Sequence, residues 1–191
     1  MIVDSDDEML NDYHDAVGDK VSLKVYKREG KGMAKPLNKA VGEMGRWHKY
    51  LMFMGDDHRP RTDNWDVKII EALDSLGTGL AYPNDLFQGK NLATCVAMTQ
   101  NIAEAMGWAM VPPNMIHLYL DNFWMQLGND LGALKYLDDV VVEHLHPVAG
   151  KAQWDAGYQE VNAEEVYSAD AKAFESYIRS EEYQNLLKAL R

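Results

Sequence analysis

Short apolar runs alternate along this chain with segments whose apolar residues recur at helical spacing, and that alternation constrains the fold most. It is the pattern of strands interleaved with helices, hence an α/β protein. Ile2-Val3, Val21 to Tyr26, Tyr50 to Met54, Gly79 to Tyr82, Thr94 to Met98 and Lys135 to Glu143 read as strands. Helices are expected around Glu8 to Val17, over 33–44, through Trp65, Ile69, Leu73 and Leu76 to a stop at Gly77, over 100–106, and over 121–131. Near the carboxyl end, Phe174, Tyr177 and Ile178 share one helical face. Tyr183, Leu186, Leu187 and Leu190 share another, out of phase with the first, and Ser180 sits at the break. The expectation is one α/β domain over 1–191: a mixed central sheet flanked by helices, a flexible stretch at 150–166 and a helical tail over 170–191.

The chain's 191 residues are 47% hydrophobic, enough to bury a core as one domain. No apolar run approaches the ~20 residues of a membrane helix. Met1-Ile2-Val3-Asp4 turns acidic at once, so no signal peptide is expected. A lone cysteine, Cys95, has no partner for an internal disulfide, which fits a reducing compartment; a cytoplasmic protein is expected. The formal net charge of −11 repels phosphate backbones, so direct nucleic-acid binding is not expected. One basic strip, Lys24 to Gly32, stands against that background, as either a seat for a phosphorylated small molecule or a solvated hairpin.

Two strand ends carry the chemistry. Leu51-Met52-Phe53-Met54-Gly55 runs into Asp56-Asp57-His58, and Val140-Val141-Val142 runs into Glu143-His144-Leu145-His146. Acidic groups at a strand's carboxyl end suit a hard divalent cation such as Mg²⁺ or Mn²⁺, whose shell a ligand's phosphates complete. Adjacent aspartates can equally end a strand and cap the helix beginning near Asp63. His144 and His146 alternate along a strand and so share a face, which permits a zinc or iron site with Asp56 or Asp57 in a metal-dependent hydrolase. Asp121 opens a helix, either as its N-cap or as a general base at a cleft. Gly30 to Asn38 leads small residues and two lysines, Lys31 and Lys35, into a helix whose first amides can meet a diphosphate. Lys151 lies on a glycine-containing loop, either closing over that diphosphate or simply solvated.

Taken in order, these pieces resemble a GT-A glycosyltransferase, most closely the small glycosyltransferase-like proteins of phage and bacteria. The matching stretches are Ile2 to Asp7, Gly32 to Asn38, Phe53 to His58, Asp121 to Trp124 and Val140 to His144, so the resemblance spans residues 1–150. It implies a nucleotide-sugar donor, an acceptor hydroxyl of unspecified origin and a Mn²⁺ or Mg²⁺ cofactor. Asp4 or Asp6 would contact the base or ribose. Lys31, Lys35, Asn38 and Lys151 would hold the donor, with Asp56 near its ribose or sugar. Asp57 and His144 would bind the metal, and Asp121 would deprotonate the acceptor for an inverting displacement. A relative that binds the nucleotide sugar without turnover is the non-catalytic alternative.

Two features depart from the family's pattern. Gly55-Asp56-Asp57 stands where the family has Asp-x-Asp, leaving Asp57 and its neighbour to serve. The family's usual first strand and helix do not stand ahead of Ile2 in this sequence; the expectation is either a minimal version of the fold or one of which part is missing, and the base pocket is the part affected.

Overall fold

Two sheets organise the chain: a small parallel pair at the amino end and a five-stranded mixed sheet. The computed structural model describes residues 1–19 and 21–191. In the small sheet β1 (Ile2–Asp4) runs parallel to β2 (Lys24–Tyr26), with α1 (Leu10–Val17) between them in sequence. Next, α2 (Ala34–Met44) buries Ala34, Leu37 and Val41 in the main core.

The larger sheet has the order β3-β6-β5-β7-β4, built from β3 (Tyr50–Met52), β4 (His58–Pro60), β5 (Leu80–Asn84), β6 (Ala97–Thr99) and β7 (Leu134–His144). Only β5 and β7 pair in parallel; the other three pairings are antiparallel. The mixed α/β architecture expected from the sequence is thus the one the chain adopts. Side chains alternate across the sheet as pleating requires. Leu80, Tyr82 and Met98 face a large core shared with α2, α4 (Gln100–Ala105), α5 (Leu120–Leu131) and α8 (Glu181–Leu190). Ala81, Ala97 and Val140 face the opposite side, where Ile69, Ala72 and Leu73 of α3 (Trp65–Leu76) cover them. Burial on both faces explains why these strands read as apolar runs rather than strict alternation.

Helix ends follow their local chemistry. Gly77 terminates α3 at φ 71°, and Ser180 caps α8 by accepting the Tyr183 N–H at 3.1 Å. That cap makes the helix break expected at Ser180. Ahead of α5, the fully buried Asp170 of α7 (Glu164–Ile178) accepts the N–H groups of Ile116, His117 and Leu118 at 2.7, 2.9 and 2.7 Å. A buried carboxylate needs such partners, and here it fixes the loop that launches α5.

Several boundaries differ from expectation. The strand expected over 50–54 ends at Met52, although the Phe53 N–H still bonds Val96 at 2.9 Å. The strand expected at 94–98 begins only at Ala97. The segment expected to be flexible, 150–166, contains α6 (Ala156–Val161) and the start of α7, because Asp155 caps α6 by accepting the Tyr158 N–H at 2.8 Å. The helical tail therefore begins at Glu164 rather than near residue 170. Among the described residues, no helix is long and apolar enough to cross a membrane.

Candidate metal centre

β4 was not foreseen, and it builds the site. Its antiparallel register places His58 directly opposite His144, on the edge of β7 away from β5, whose own pairing with β7 shifts register between Pro83 and Asn84. The two imidazoles stack 17° from parallel, with centroids 4.2 Å apart. Asp57, on the turn before β4, presents one oxygen to each ring. Its Oδ2 lies 3.0 Å from His144 Nε2 and its Oδ1 lies 3.0 Å from His58 Nδ1. The Tyr158 hydroxyl of α6 donates to the same Oδ2 at 2.8 Å.

One ligand atom from each of Asp57, His58 and His144 lies within 4.8 Å of the others, so the group can hold a metal ion. The donors fit that use. Both His58 nitrogens and His144 Nδ1 are buried without a well-aligned hydrogen-bond partner; the close Asp57 Oδ1 lies off the line that a bond from His58 Nδ1 would need. Unpartnered buried imidazole nitrogens are costly, and a cation beside Asp57 would satisfy His58 Nδ1. Gly55 keeps the cluster tight. A Cβ there would lie 2.7 Å from Asp57 Oδ1 and 2.9 Å from His58 Nδ1.

Charge in the cluster is strongly biased. Burial disfavours the Asp57 carboxylate, but hydrogen bonds from His144 and Tyr158 and the close His58 ring outweigh it and hold the group well below the usual carboxylate range. Burial likewise opposes the His144 cation, yet its hydrogen bond to Asp57 and attraction to Asp57 and Asp85 raise it to about 9. Asp85 follows Asn84 at the end of β5 and is 1% exposed, with its Oδ2 3.8 Å from His144 Nδ1. Burial works against its charge too. Interactions with His144, the Gly89 and Phe87 amides and the Thr94 hydroxyl depress it below the usual range.

The expected site residues fall into three groups. Asp57 and His144 meet as expected, and His58 joins them. Asp121 lies in the first turn of α5, where its Oδ1 accepts the Asn122 N–H at 2.9 Å. Burial raises its proton affinity, and both His144 and Asp85 act on it electrostatically. Asp56, by contrast, is exposed beside the cluster.

Around the amino-terminal sheet, Asp4, Arg28, Gly30, Gly32 and Lys35 line a small cleft. Arg28 pairs with Glu160 and stands 4.0 Å from Asp4, while Lys31 pairs with Glu165 at 3.5 Å. Lys35 donates to the Glu29 carbonyl at 3.1 Å, and Asp6 is exposed in the turn after β1.

Two residues expected as donor contacts bond within the protein. The Asn38 side chain accepts the Met110 and Val111 N–H groups and donates to the Val111 carbonyl, which pins that backbone and leaves one amide hydrogen. Lys151 is tied to Glu143 at 2.9 Å and to the Leu86 carbonyl at 3.3 Å. His146 lies outside the metal-capable group: its Nδ1 accepts the Val148 N–H at 3.1 Å and its ring stacks on Phe87.

Sequence reasoning assigned no site role to Gly55, Asp85, His117 or Tyr158. His117 Nδ1 is buried without a partner, and burial lowers that imidazole to about 4. The spacing of Asp155 to Tyr158 is a helix-cap signal that locates Tyr158 on a helix, but nothing in it points toward Asp57.

Compared with family models, with curated proteins and with solved structures, the chain matches none.

Proposed function

We propose that this chain is a metal-dependent glycosyltransferase of GT-A type, moving a sugar from a nucleoside-diphosphate donor to an acceptor hydroxyl. The observation that carries the reading is a metal-capable group, Asp57, His58 and His144, whose His144 acts electrostatically on the half-buried carboxyl of Asp121 at the start of a helix. Two imidazoles and one carboxylate form a donor set better suited to Mn²⁺ than to Mg²⁺, which favours oxygen ligands and octahedral geometry. The bound ion would supply Lewis-acid neutralisation of the departing diphosphate.

The chain's own residues do the rest. Asp57 binds as a carboxylate, because its hydrogen-bond partners keep it ionised. Asp121 accepts the acceptor's hydroxyl proton, and its raised proton affinity suits that task. Attack from the Asp121 side gives direct displacement with inversion. Arg28, Lys31 and Lys35 attract the donor's phosphates to the amino-terminal cleft, where Glu160 and Glu165 occupy two of the cations. The phosphates would displace those carboxylates.

The test is a thermal-shift and calorimetric screen of nucleoside diphosphates and nucleotide sugars, with and without Mn²⁺, followed by transfer assays on Asp121→Asn. Stabilisation that needs nucleotide and metal together, with donor binding kept but transfer lost in Asp121→Asn, supports the reading. Stabilisation by Zn²⁺ alone would favour the hydrolase instead. A metal-and-nucleotide response without transfer in the wild type would favour the non-catalytic binder.

A further inference from the structure

We propose that Asp85 is a positioning residue for the metal centre, orienting the His144 ring so that Nε2 faces Asp57 and the ion while Nδ1 faces Asp85. The inference rests on the metal-dependent reading but not on glycosyl transfer.

Asp85 touches His144 through both backbone and side chain. Its carbonyl accepts the His144 N–H at 2.9 Å, and its Oδ2 stands 3.8 Å from His144 Nδ1. The two carboxylate oxygens divide their work. Oδ1 accepts the N–H groups of Phe87, Gln88 and Gly89 at 3.0, 2.8 and 2.7 Å, which folds the loop after β5. Oδ2 accepts the Thr94 hydroxyl at 2.8 Å and otherwise confronts only the imidazole. The folded loop also carries Phe87, whose ring meets His144 edge-on, 6.0 Å away and 75° from parallel. The ring of His144 is thus bounded by Phe87 edge-on and by His58 on its face, with Asp85 Oδ2 3.8 Å from Nδ1.

The chemistry follows from the tautomer. An imidazole that ligates through Nε2 keeps its remaining proton on Nδ1, and a carboxylate facing that proton fixes the ring and strengthens the ligand. His144 Nδ1 has no hydrogen-bond partner, so Asp85 is placed to provide this orientation with a small approach. Capping the loop alone needs only an acceptor at Oδ1. An asparagine supplies that acceptor with nearly the same shape, but turns an N–H toward Nδ1 and favours the opposite tautomer.

Asp85→Asn therefore separates the two roles. Calorimetric titration of Mn²⁺ and Co²⁺ should show affinity about 10–100-fold weaker in Asp85→Asn, with a changed visible absorption of the bound Co²⁺. Wild-type affinity and an unchanged Co²⁺ spectrum in the variant would reduce Asp85 to a loop cap and overturn the proposal. Nitrogen-15 NMR on the wild type with diamagnetic Zn²⁺ provides a second reading that does not depend on the variant's folding. A His144 pattern with the metal on Nε2 and a proton on Nδ1 supports the proposal; metal on Nδ1 overturns it. A wild-type chain that binds no divalent metal overturns both this inference and the transferase reading. Metal binding weakened in Asp85→Asn, with no nucleotide response in the wild type, would sustain the Asp85 role while retiring the transferase.

Discussion

The metal-capable cluster and the amino-terminal cleft were expected as two halves of one donor site, yet they are built on opposite physical terms. At the cluster, charges are buried and answered at short range. Asp57 meets two imidazoles and a phenol, and Asp85 meets three amides and a hydroxyl. In the cleft, Arg28 and Lys31 are 39% and 44% exposed, and their carboxylate partners Glu160 and Glu165 are 34% and 73% exposed. Coulomb interactions strengthen as water is excluded, so one unit of charge is worth far more in the first region than in the second. The contrast separates a buried, preorganised cluster from partly exposed ion pairs that salt and solvent can loosen.

The largest effect should come from Asp57→Ala, which removes the group joining both imidazoles. Calorimetry should show Mn²⁺ affinity reduced by roughly 100-fold or more. Arg28→Ala should leave metal affinity unchanged. Equal losses in the two variants would break the distinction between the regions.

Next is the pH dependence of the metal-free protein, followed by thermal denaturation in chelator. His144 titrates at about 9 when folded against an ordinary 6.5, so its stabilisation is complete below 6.5 and lost as pH rises through 9. His117 titrates at about 4, so its contribution is complete above 6.5 and lost as pH falls through 4. Stability should therefore peak near pH 6.5, each flank losing on the order of 2 kcal/mol. A flat profile from pH 4 to 9 would show that the cluster is more hydrated than its geometry indicates.

Gly55→Ala should weaken Mn²⁺ binding by about tenfold while leaving nucleotide binding without metal unchanged, since its methyl group meets two ligand side chains. Unchanged Mn²⁺ affinity would mean that the turn relaxes without disturbing the ligands.

The smallest stability change is expected at Glu160→Ala, which breaks an exposed ion pair and should shift unfolding by less than about 1 kcal/mol. The same change frees Arg28, so nucleoside-diphosphate affinity should rise, and the gain should shrink in high salt. A large loss of stability would mean that this exposed contact is as strongly coupled as the buried cluster.

Much of the scaffold was legible because its signals are local. Gly77 stops α3, Ser180 breaks α7 from α8, and doubly buried strands leave runs such as Val140 to Val142. Each depends on backbone preference, capping or the transfer of apolar surface from water, and all are written into neighbouring residues. Asp57 and His144 stood out as polar residues at the ends of apolar strands. Helix α6 within 150–166 was not legible because its six residues hold too few apolar positions to make a period.

The sequence alone therefore determined the α/β class, the elements near their places, and two polar strand ends that had to lie at the sheet's rim. Only the tertiary structure decided that His58 pairs opposite His144, that Asp85 and Tyr158 converge on the same cluster, and that Asn38 and Lys151 bond within the protein. Propensity and amphipathic period act over a few neighbouring residues. Register, ring stacking and the worth of a buried charge depend on groups far apart in the chain, such as Asp57 and Tyr158, that meet only when the core closes.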